Sequence, residues 1–511
     1  MDIQFKHRIL PAIIGLSGAC FIILLINCCR VGVSPDSVYY ISVARHISDG
    51  KGFVGYDGYY FVLQSPLYPL LLAAILKIFS IDPLVSAGYL NAILFGLIVY
   101  YSGTFLLNHL KSLALIIIGT IVIMVSFILI QISLIALSEP LFILFVLLYL
   151  NYFDKYRSKG TITSLLLFST AAALACLTRY VGVIIILSGS ISIYIWNRKT
   201  LRVMFRHLII FLLITIIPTG LWILRNYILS GTLVGQRADS SYTLSENLLY
   251  LFNVMLKLYL PIQMNDQQFF YIMLIIFAGI LTLIAYRNKW EKDEIRLKQI
   301  GPALIFLLLY SGIIVISSTT TAYDKIANRL LSPIFIPSVF IIFLMLDNIL
   351  EWISKHYHYK LLPILFLIAI IAWMKYPVTT TIYNIKNYIG QAGWEYSSKS
   401  WRDNTVIKYL NDHKQFRSGY SFYSNVPEAV YILADKETKW SPPKTMYNSP
   451  ELIKSNPDLK NIWQGKNKAY LVWFTNINRP FLYNINDLKK SCNMILIAQL
   501  KDGEIYTITK K

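Results

Sequence analysis

The chain has 511 residues, of which 56% are apolar and only 14% are charged. A soluble domain carries about 25% charged residues, so this composition argues against a soluble protein, and the abundant apolar side chains exclude a disordered or collagen-like one. The formal net charge is +20. In a membrane protein such an excess is typical of cytoplasmic loops and of surfaces facing anionic lipid rather than of nucleic-acid binding. The composition therefore predicts a protein that crosses a membrane many times and carries some soluble mass.

Eleven apolar runs are interpreted as membrane-spanning helices. They cover roughly residues 9–29, 85–107, 113–131, 139–153, 162–177, 179–196, 207–228, 268–286, 300–317, 331–347 and 360–376. The first is expected to be retained, because its apolar run continues well past Cys20 and so lacks the form of a cleaved signal. A further run at 66–79 is too short to span and is expected to be interfacial or re-entrant.

Lys and Arg are roughly four times denser in the loops on one side of these spans than on the other, as the positive-inside rule describes. The rule predicts a cytoplasmic amino terminus and one long extracytoplasmic excursion at 30–84. An odd number of spans then places the tail outside as well. We therefore expect an integral protein of a bacterial-type plasma membrane, with a transmembrane domain over 1–376.

The tail, 377–511, is rich in Lys, Asn, Ser and Tyr and contains no spanning run. Helices are predicted at 401–410 and 428–434. Strands are predicted at 470–475, 494–500 and 504–509, the last two joined by a hairpin turn. These elements predict a small extracytoplasmic α/β domain.

Two acidic residues are predicted at the outer membrane boundary. Asp36 directly precedes an amphipathic segment at 38–47, which is expected to lie in the interface. Its residue type and place suit a helix N-cap, and a chemical role is compatible, because one oxygen could cap while the other reacts. Glu139 opens the fourth span after Ser138. It is either a first-turn Glu favoured by the helix dipole, with Ser138 as the cap, or a second site residue.

Three arginines, Arg179, Arg225 and Arg329, are predicted at helix ends on the same face. Taken singly, each is explained as an ordinary flanking residue whose charged end extends to the membrane surface. Together with the two acids they suggest a site for an anionic lipid head group, because a guanidinium pairs with phosphate in bidentate geometry.

Other chemistries find little support in the sequence. The seven histidines are scattered, the five cysteines show no zinc spacing, and His356 and His358 are predicted on the cytoplasmic surface. No nucleotide-binding, zinc-protease or serine-hydrolase signature is present.

Several short motifs resemble those of the GT-C membrane glycosyltransferases. The first outer loop contains Pro35-Asp36-Ser37-Val38-Tyr39-Tyr40, Gly50-Lys51-Gly52-Phe53 and Ser65-Pro66-Leu67-Tyr68-Pro69. Further pieces follow in the order that the family has: Ser138-Glu139-Pro140-Leu141-Phe142, Leu177-Thr178-Arg179-Tyr180, Leu224-Arg225-Asn226-Tyr227, Gly231-Thr232-Leu233-Val234-Gly235 and Asn328-Arg329-Leu330-Leu331-Ser332-Pro333. The set is most similar to the branch of protein O-mannosyltransferases and lipid A aminoarabinose transferases.

The resemblance implies an α-helical polytopic membrane protein of GT-C type, with about 11 transmembrane helices and a C-terminal extracytoplasmic α/β domain. It implies an inverting glycosyltransferase that moves a sugar from a polyprenyl monophosphate to a glycan, lipid or protein acceptor at the outer face. Asp36 would be the base and Glu139 a second site residue. The three arginines would bind the donor phosphate, and the tyrosines of the first-loop motifs, Tyr39, Tyr40 and Tyr68, are candidate substrate contacts.

Some relatives carry a second acid directly after the acid of the first loop. This chain has Ser37 at that position. No cofactor is expected to be obligatory; a divalent metal is the alternative, against which the missing second acid argues, and no metal ligand is assigned. The partners expected are the lipid-linked donor, the acceptor and membrane lipid, without nucleic acid. Segment 244–260 is predicted to help hold the prenyl chain.

The alternative function is a transporter or flippase for a lipid-linked or anionic substrate. Such a protein would also place Arg near phosphate, but it more often has acids or broken helices at mid-span. The nearly uncharged mid-span positions favour the transferase.

Overall fold

The computed structural model describes residues 3–261, 294–356, 361–413, 420–445 and 469–509, together with a few isolated positions between them. Its helices are labelled here in chain order. They are α1 (Ile3–Cys29), α2 (Pro35–Ser48), α3 (Leu67–Phe79), α4 (Pro83–His109), α5 (Leu113–Met124), α6 (Phe127–Leu134), α7 (Glu139–Lys159), α8 (Ile162–Thr178), α9 (Val183–Asn197), α10 (Leu201–Ser230), α11 (Leu244–Tyr259), α12 (Glu294–Thr320), α13 (Asn328–His356), α14 (Leu361–Trp373), α15 (Lys375–Gln391), α16 (Lys399–Arg402), α17 (Thr405–Asp412), α18 (Pro427–Ala434) and α19 (Ile485–Ser491).

Within the described residues, seven helices are long and apolar enough to cross a membrane, and the bent pair α5–α6 makes an eighth if it is one span. The predicted span 268–286 lies outside the described residues, and each of the other ten coincides with helix. Two of those ten predicted spans coincide with helices that are not among the long apolar ones counted above. Helix α8 has 17 residues, and α7 carries Asp154, Lys155 and Arg157 towards its end. The prediction of a polytopic helical membrane protein is confirmed.

The predicted span 113–131 is not one straight helix. It bends by 40° between α5 and α6, at Val125 and Ser126. Thr381 of α15 donates its hydroxyl to the carbonyl of Val125 over 2.6 Å, so the break does not leave this acceptor unpaired inside the bundle.

The first loop folds back onto the bundle through α2 and α3. Ser34 caps α2, since its side chain accepts a hydrogen bond from the Ser37 backbone N–H and the Ser37 side chain bonds back to Ser34. Helix α2 buries Val38, Tyr40 and Ile41 against the protein, so it is packed within the molecule, which corrects the prediction that it lies in the lipid interface. The short run at 66–79 forms α3, which has only 13 residues.

Three distant segments meet in a web of backbone hydrogen bonds, which we call the backbone junction: residues 32–33, 134–136 and 394–396. The N–H of Gly32 donates to Leu134 O (2.7 Å), and that of Ala136 donates to Gly32 O (3.0 Å). On the other side, Val33 N–H donates to Trp394 O (3.3 Å) and Tyr396 N–H to Val33 O (3.0 Å). A Cβ at position 32 would lie 2.9 Å from the Ile135 side chain, so this close approach requires glycine. The junction ties the first loop to the start of α7 and to the beginning of the tail.

The last membrane helices run further than the sequence suggested. Helices α14 and α15 together form a candidate span of 31 residues, Leu361–Gln391. The predicted domain boundary at 377 therefore falls inside a helix, and the tail segment outside it begins after Gln391.

The tail folds around a five-stranded sheet whose strands are β1 (Ser421–Ser424), β2 (Thr438–Trp440), β3 (Ala469–Phe474), β4 (Asn493–Leu500) and β5 (Gly503–Thr509). The strand order is β2-β1-β3-β5-β4. Strands β2, β1 and β3 are parallel, and β5 is antiparallel to both β3 and β4. The predicted α/β domain, its strands and its β4–β5 hairpin are confirmed.

This domain packs on the first loop. Arg45 of α2 binds Asp82 through two hydrogen bonds of 2.9 and 3.0 Å and lies 3.5 Å from the hydroxyl of Tyr431 in α18. Lys51 lies 3.3 Å from Glu437. The domain therefore sits at the end of the bundle to which α2 and the backbone junction belong.

Candidate active site

Four of the predicted site residues converge at this end of the bundle. Asp36 is the second residue of α2, Glu139 opens α7, Arg179 directly follows α8, and Arg329 is the second residue of α13. The backbone junction brings the first two together, because Gly32 and Val33 precede Asp36 and Ala136 precedes Glu139. Helix ends rather than loop centres therefore fix all four side chains.

These four side chains form a continuous ion-pair chain. Arg329 donates from Nη2 to Asp36 Oδ2 (2.5 Å) and from Nε to Glu139 Oε1 (2.5 Å). The same Glu139 oxygen lies 2.6 Å from Nη1 of Arg179. The sequence of contacts is thus Asp36, Arg329, Glu139, Arg179, with opposite charges in alternation.

The ion-pair chain is closed at one end and open at the other. The Glu139 side chain is 1% exposed and that of Arg179 18%, whereas Arg329 and Asp36 keep 35% and 38%. A substrate can therefore reach Asp36 and Arg329 from solvent, while Glu139 lies behind them.

Asp36 is not the cap of its helix. Ser34 holds that position, so the N-cap interpretation of Asp36 is wrong, and its carboxylate is available to other groups. Gln64 donates from Nε2 to Asp36 Oδ1 over 2.8 Å, and Arg329 binds the second oxygen. Each carboxylate oxygen offers two lone pairs, so both retain the capacity to accept a further hydrogen bond.

Ser138 does not cap α7 through its side chain either, which corrects the second cap interpretation. Its hydroxyl shares a hydrogen bond of 3.0 Å with the Tyr40 hydroxyl and lies 3.4 Å from Arg179 Nη1. Behind it, Glu139 Oε2 and Arg179 Nε are buried without a hydrogen-bond partner among the described residues. Buried polar atoms of this kind are ordinarily satisfied by water or a ligand.

Arg225 reaches the same end but does not join the ion-pair chain. It donates from Nη1 to the carbonyl of Phe61 (2.8 Å) and from Nη2 to that of Phe53 (3.3 Å). Its guanidinium also lies 4.6 Å from the ring centroid of Trp222. Arg225 therefore holds the first loop, because its position in α10 faces that loop rather than α7.

The three candidate tyrosines have different places. Tyr68 is fully buried and donates to Asn91 Oδ1 over 3.3 Å, and Tyr40 is 3% exposed with its ring 5.1 Å from that of Tyr68. Both support the ion-pair chain from behind in this conformation. Burial and the nearby charge of Asp36 raise the pKa of Tyr40, so it remains a neutral hydroxyl. Tyr39 is half-buried and donates to Asp57.

Sequence reasoning missed Gln64, which binds Asp36, and Glu395, which lies in the backbone junction. Neither carries a local signal, since Gln64 precedes α3 in an irregular segment and Glu395 lies beyond every motif. Two further buried acids are Asp57 of the first loop and Glu428 of the tail domain. The charge of Asp57 acts on the carboxyl of Glu428. Burial raises the pKa of both carboxyls.

A metal ion shared by Asp36 and Glu139 does not fit the residues present. The guanidinium of Arg329 already stands within hydrogen-bond distance of both carboxylates, where such an ion would have to lie. Among the described residues, no three His, Cys, Asp or Glu side chains are grouped as metal ligands.

A cavity of about 480 Å³ opens between α11, α13 and the α14–α15 pair, and none of the four residues of the ion-pair chain lines it. Its lining combines apolar surface with a few polar groups, and it includes Asn328, Lys257, Tyr259, Phe335 and Trp373. Asn328 directly precedes Arg329. Helix α11, whose Thr243 and Glu246 form a capping box, contributes Lys257 and Tyr259.

No protein-family model matches the sequence, and no curated protein matches it. Solved structures do match. The chain is similar over 97% of its length to 97% of ArnT from Cupriavidus metallidurans bound to undecaprenyl phosphate, with a TM-score of 0.59 and 10% identity. It is also similar to the oligosaccharyltransferase of Archaeoglobus fulgidus in complex with Zn and sulfate (TM-score 0.53, 12% identity, 96% of this chain and 72% of that one).

A second structure of the Archaeoglobus fulgidus enzyme, AglB in complex with an inhibitory peptide and a dolichol-phosphate, matches 97% of this chain and 74% of its own, with a TM-score of 0.50 and 12% identity. At such identities the likeness concerns the fold. The chain therefore shares the fold of these proteins over nearly its whole length, as the resemblance to the GT-C type implied.

Proposed function

We propose that the protein is an inverting glycosyltransferase that moves a sugar from a polyprenyl monophosphate to an acceptor at the extracytoplasmic face of the membrane. The observation that carries this proposal is the ion-pair chain, which places a solvent-accessible carboxylate and two guanidinium groups at one end of a GT-C bundle. Arginine and carboxylate are the groups that this reaction needs, one for the leaving phosphate and one for the acceptor proton.

Asp36 is the proposed base. The acceptor hydroxyl attacks the anomeric carbon from the side opposite the phosphate, its O–H bond breaks, and the proton passes to a carboxylate oxygen of Asp36. The bond between the anomeric carbon and the phosphate oxygen breaks at the same time, so the configuration inverts and prenyl phosphate leaves. A positioned base contributes about a hundredfold to ten-thousandfold to such a step.

Arg329 and Arg179 are the proposed partners of the leaving phosphate. Arg329 uses Nε and one hydrogen of Nη2 on the carboxylates, which leaves the N–H groups of Nη1 for a ligand. Arg179 has a buried Nε without a partner among the described residues. Fixed guanidinium groups stabilise the negative charge that grows on the phosphate as its bond to the sugar breaks. Arg225 acts indirectly in this proposal, by holding the first loop that carries Gln64.

The cavity lined by Asn328 is the proposed place of the first prenyl units, since part of its lining is apolar and Asn328 directly precedes Arg329 in the chain. The match to ArnT bound to undecaprenyl phosphate and to AglB with a dolichol-phosphate supports a polyprenyl-phosphate donor. The acceptor is a glycan, a lipid or a protein. A cytoplasmic amino terminus, an extracytoplasmic tail and a bacterial-type plasma membrane belong to the same proposal and rest on the charge asymmetry of the loops.

A transporter or flippase is the second candidate, and one observation favours it. The α5–α6 pair is a broken helix, as in many transporters. However, the charged site residues lie at one end of the bundle rather than at mid-span, and Thr381 satisfies the break. Both functions account for the arginines, but only the transferase needs a carboxylate such as Asp36 beside them.

The decisive experiment is sugar transfer by the purified Asp36→Asn variant, assayed with synthetic prenyl-phosphate sugars and a panel of acceptors. An amide cannot take a proton at neutral pH, so transfer should fall about a hundredfold to ten-thousandfold. Thermal stability in the same detergent should stay close to that of the wild type, because Ser34 rather than Asp36 caps α2.

Asp49→Asn is the matched control, since Asp49 is the exposed C-cap residue of the same helix. It should leave transfer unchanged. Near-normal turnover by Asp36→Asn would contradict the assignment of the base. Movement of an intact lipid-linked sugar across vesicles by a wild type that transfers nothing would support the transporter instead. Mass spectrometry of surface glycans and glycolipids from a deletion strain would identify the sugar.

A further inference from the structure

A second cavity, of about 350 Å³, lies where the tail domain meets the ends of two spanning helices. It is separate from the cavity of about 480 Å³, because the two have no lining residue in common. Its wall combines the end of α1 and the residues that follow it, the start of α4, and residues of α16 and α18 in the tail domain. Its volume is that of a site for a small ligand or for part of a larger one, about 300–1,000 Å³.

The cavity lies at the height where two candidate spans end. Helix α1 spans the membrane over Ile9–Cys29 and α4 over Pro83–His109, and the cavity touches the last turn of the first and the first turns of the second. The two helices pack closely beneath it, since a Cβ at Gly88 would lie 3.2 Å from the side chain of Ile26. On the outer side of α4, Val85 is 50% exposed and Tyr89 39%. Exposed side chains of a spanning helix face lipid, so the cavity is open towards the acyl chains.

The polar part of the lining is positively charged. It contains two arginines, Arg30 and Arg402, and no acid. Arg402 donates from Nη1 to the carbonyls of Ala392 (3.1 Å) and Ser397 (2.8 Å), while its Nε and Nη2 form no hydrogen bond with a described residue. The exposed side chain of Arg30 has no hydrogen bond, ion pair or ring contact with any residue that the structure describes.

The acid that directly precedes α4 does not neutralise these arginines. Asp82 accepts two hydrogen bonds, of 2.9 and 3.0 Å, from Arg45, so it already has a cationic partner. The positive charge at the mouth of the cavity is therefore free to attract an anion.

The backbone at Arg30 is in a conformation that side chains rarely adopt. Its φ is 69°, and its N–H donates to the carbonyl of Ile26 over 2.6 Å. The residue that follows a helix commonly takes this left-handed conformation, but it is usually glycine. The hydroxyl of Tyr388 in α15 donates to the Arg30 carbonyl and holds this conformation. Strained residues of this kind are concentrated at functional sites and ligand clamps, which points to a use for the arginine side chain itself.

We propose that this cavity binds one anionic phospholipid of the surrounding membrane. Its phosphate pairs with Arg30 and Arg402, because a guanidinium matches phosphate in charge and in bidentate geometry. One acyl chain lies against the apolar wall formed by Ile26, Val85 and Leu433. Arg402 and Leu433 belong to the tail domain and the other three to the membrane domain, so the bound lipid joins the two.

The combination of surfaces selects this ligand. A soluble anion would leave the apolar wall empty, and a neutral lipid would leave the arginines without a partner. A phospholipid with a negatively charged head group satisfies both, and basic pockets beside membrane helices bind such head groups. The site is independent of the proposed function, since none of the residues of the ion-pair chain lines it. It does adjoin the backbone junction, because Val33 and Tyr396 line it as well.

The first test measures the thermal midpoint of the purified protein in detergent with three added compounds. These are phosphatidylglycerol, diacylglycerol with the same chains, and glycerol 3-phosphate. A ligand that binds only the folded protein raises the midpoint. Phosphatidylglycerol should raise it, whereas diacylglycerol lacks the phosphate, glycerol 3-phosphate lacks the chains, and neither should do so at the same concentration.

The second test repeats the titration with Arg30→Gly. This variant is expected to fold, because glycine adopts a φ of 69° without strain. It should require about tenfold to a hundredfold more phosphatidylglycerol for the same rise, since a charged hydrogen bond is lost. Arg30→Lys keeps the charge without the bidentate geometry and should lie between the two. Lys77→Ala is the matched control, since Lys77 is an exposed basic residue in the last turn of α3 and lies outside the cavity.

Each other outcome overturns the site. A wild type and an Arg30→Gly variant that respond alike would show that Arg30 binds no lipid. An equal loss in Lys77→Ala would reduce the effect to general attraction between anionic lipid and a chain of net charge +20. A rise with glycerol 3-phosphate alone would assign the arginines to a soluble anion, and an equal rise with diacylglycerol would show that the phosphate is not recognised.

Discussion

Arg329 binds both acids of the site at once, and this double role changes what its removal should do. The resemblance implied an arginine that binds the donor phosphate. In the structure, Arg329 neutralises Glu139, whose side chain is 1% exposed, as well as Asp36. A buried carboxylate that loses a charged partner costs free energy, because its desolvation is no longer compensated.

We therefore expect Arg329→Ala to lower the free energy of unfolding by about 1–3 kcal/mol in addition to weakening transfer. Arg179 still pairs with Glu139, so the loss should stay below that of an isolated buried charge. Thermal unfolding in detergent measures it. The double variant Glu139→Gln with Arg329→Ala should recover part of the stability but none of the transfer. A single variant as stable as the wild type would reduce Arg329 to a ligand of the donor alone.

The residues of the site differ in how far the sequence could predict them. Asp36, Glu139, Arg179 and Arg329 stand in short motifs next to helix ends, and helix ends can be recognised from a sequence. The position of the cap was also recognisable, because Pro at the first turn, here Pro35, marks the residue before it as the N-cap. Glu395 could not be found in this way, since its contact with Val33 joins segments far apart in the chain.

At the scale of the element, the break between α5 and α6 is the feature that the sequence concealed. The run from Leu113 to Leu134 is apolar and contains no proline, so periodicity predicts one helix. The break depends instead on a partner from α15, the hydroxyl of Thr381, which binds the Val125 carbonyl. A tertiary contact of this kind leaves no local trace in the sequence.

Thr381→Val should destabilise the protein by about 1–3 kcal/mol, because the carbonyl of the half-buried Val125 would lose this donor. Val has nearly the shape of Thr, so packing should change little. Thr379→Val on the same helix is the control, since Thr379 is exposed and its hydroxyl binds carbonyls of its own helix. Equal thermal midpoints for the two variants would show that the break does not need Thr381.

At the scale of the whole molecule, the orientation in the membrane can be tested through Cys492. It is the only cysteine after residue 176 in the chain, and it is buried in the tail domain. With the four other cysteines replaced by Ser or Ala, and with mild unfolding to expose Cys492, an impermeant maleimide should label intact cells. This labelling is expected because the higher density of Lys and Arg in the loops of the opposite side predicts an extracytoplasmic tail. Labelling that occurs only after the inner membrane is breached would place the ion-pair chain on the cytoplasmic side.

The architecture as a whole followed from composition and periodicity, because long apolar runs in a chain with few charges have few other ways to fold. The boundary between the two domains could not be predicted from composition. The apolar run ends near residue 376, whereas α15 continues as an amphipathic helix to Gln391, and a change of composition cannot mark the end of a helix that leaves the membrane.

The backbone junction also has a fixed order of assembly during synthesis. A ribosome delivers residue 33 early, residue 135 later and residue 395 only after the last membrane helix has been made, yet the three are joined by adjacent hydrogen bonds. Half of the junction can assemble co-translationally, but the other half must wait for the tail. A nascent chain can therefore insert its helices and fold its first loop while the half of the junction that residues 394–396 supply is still missing.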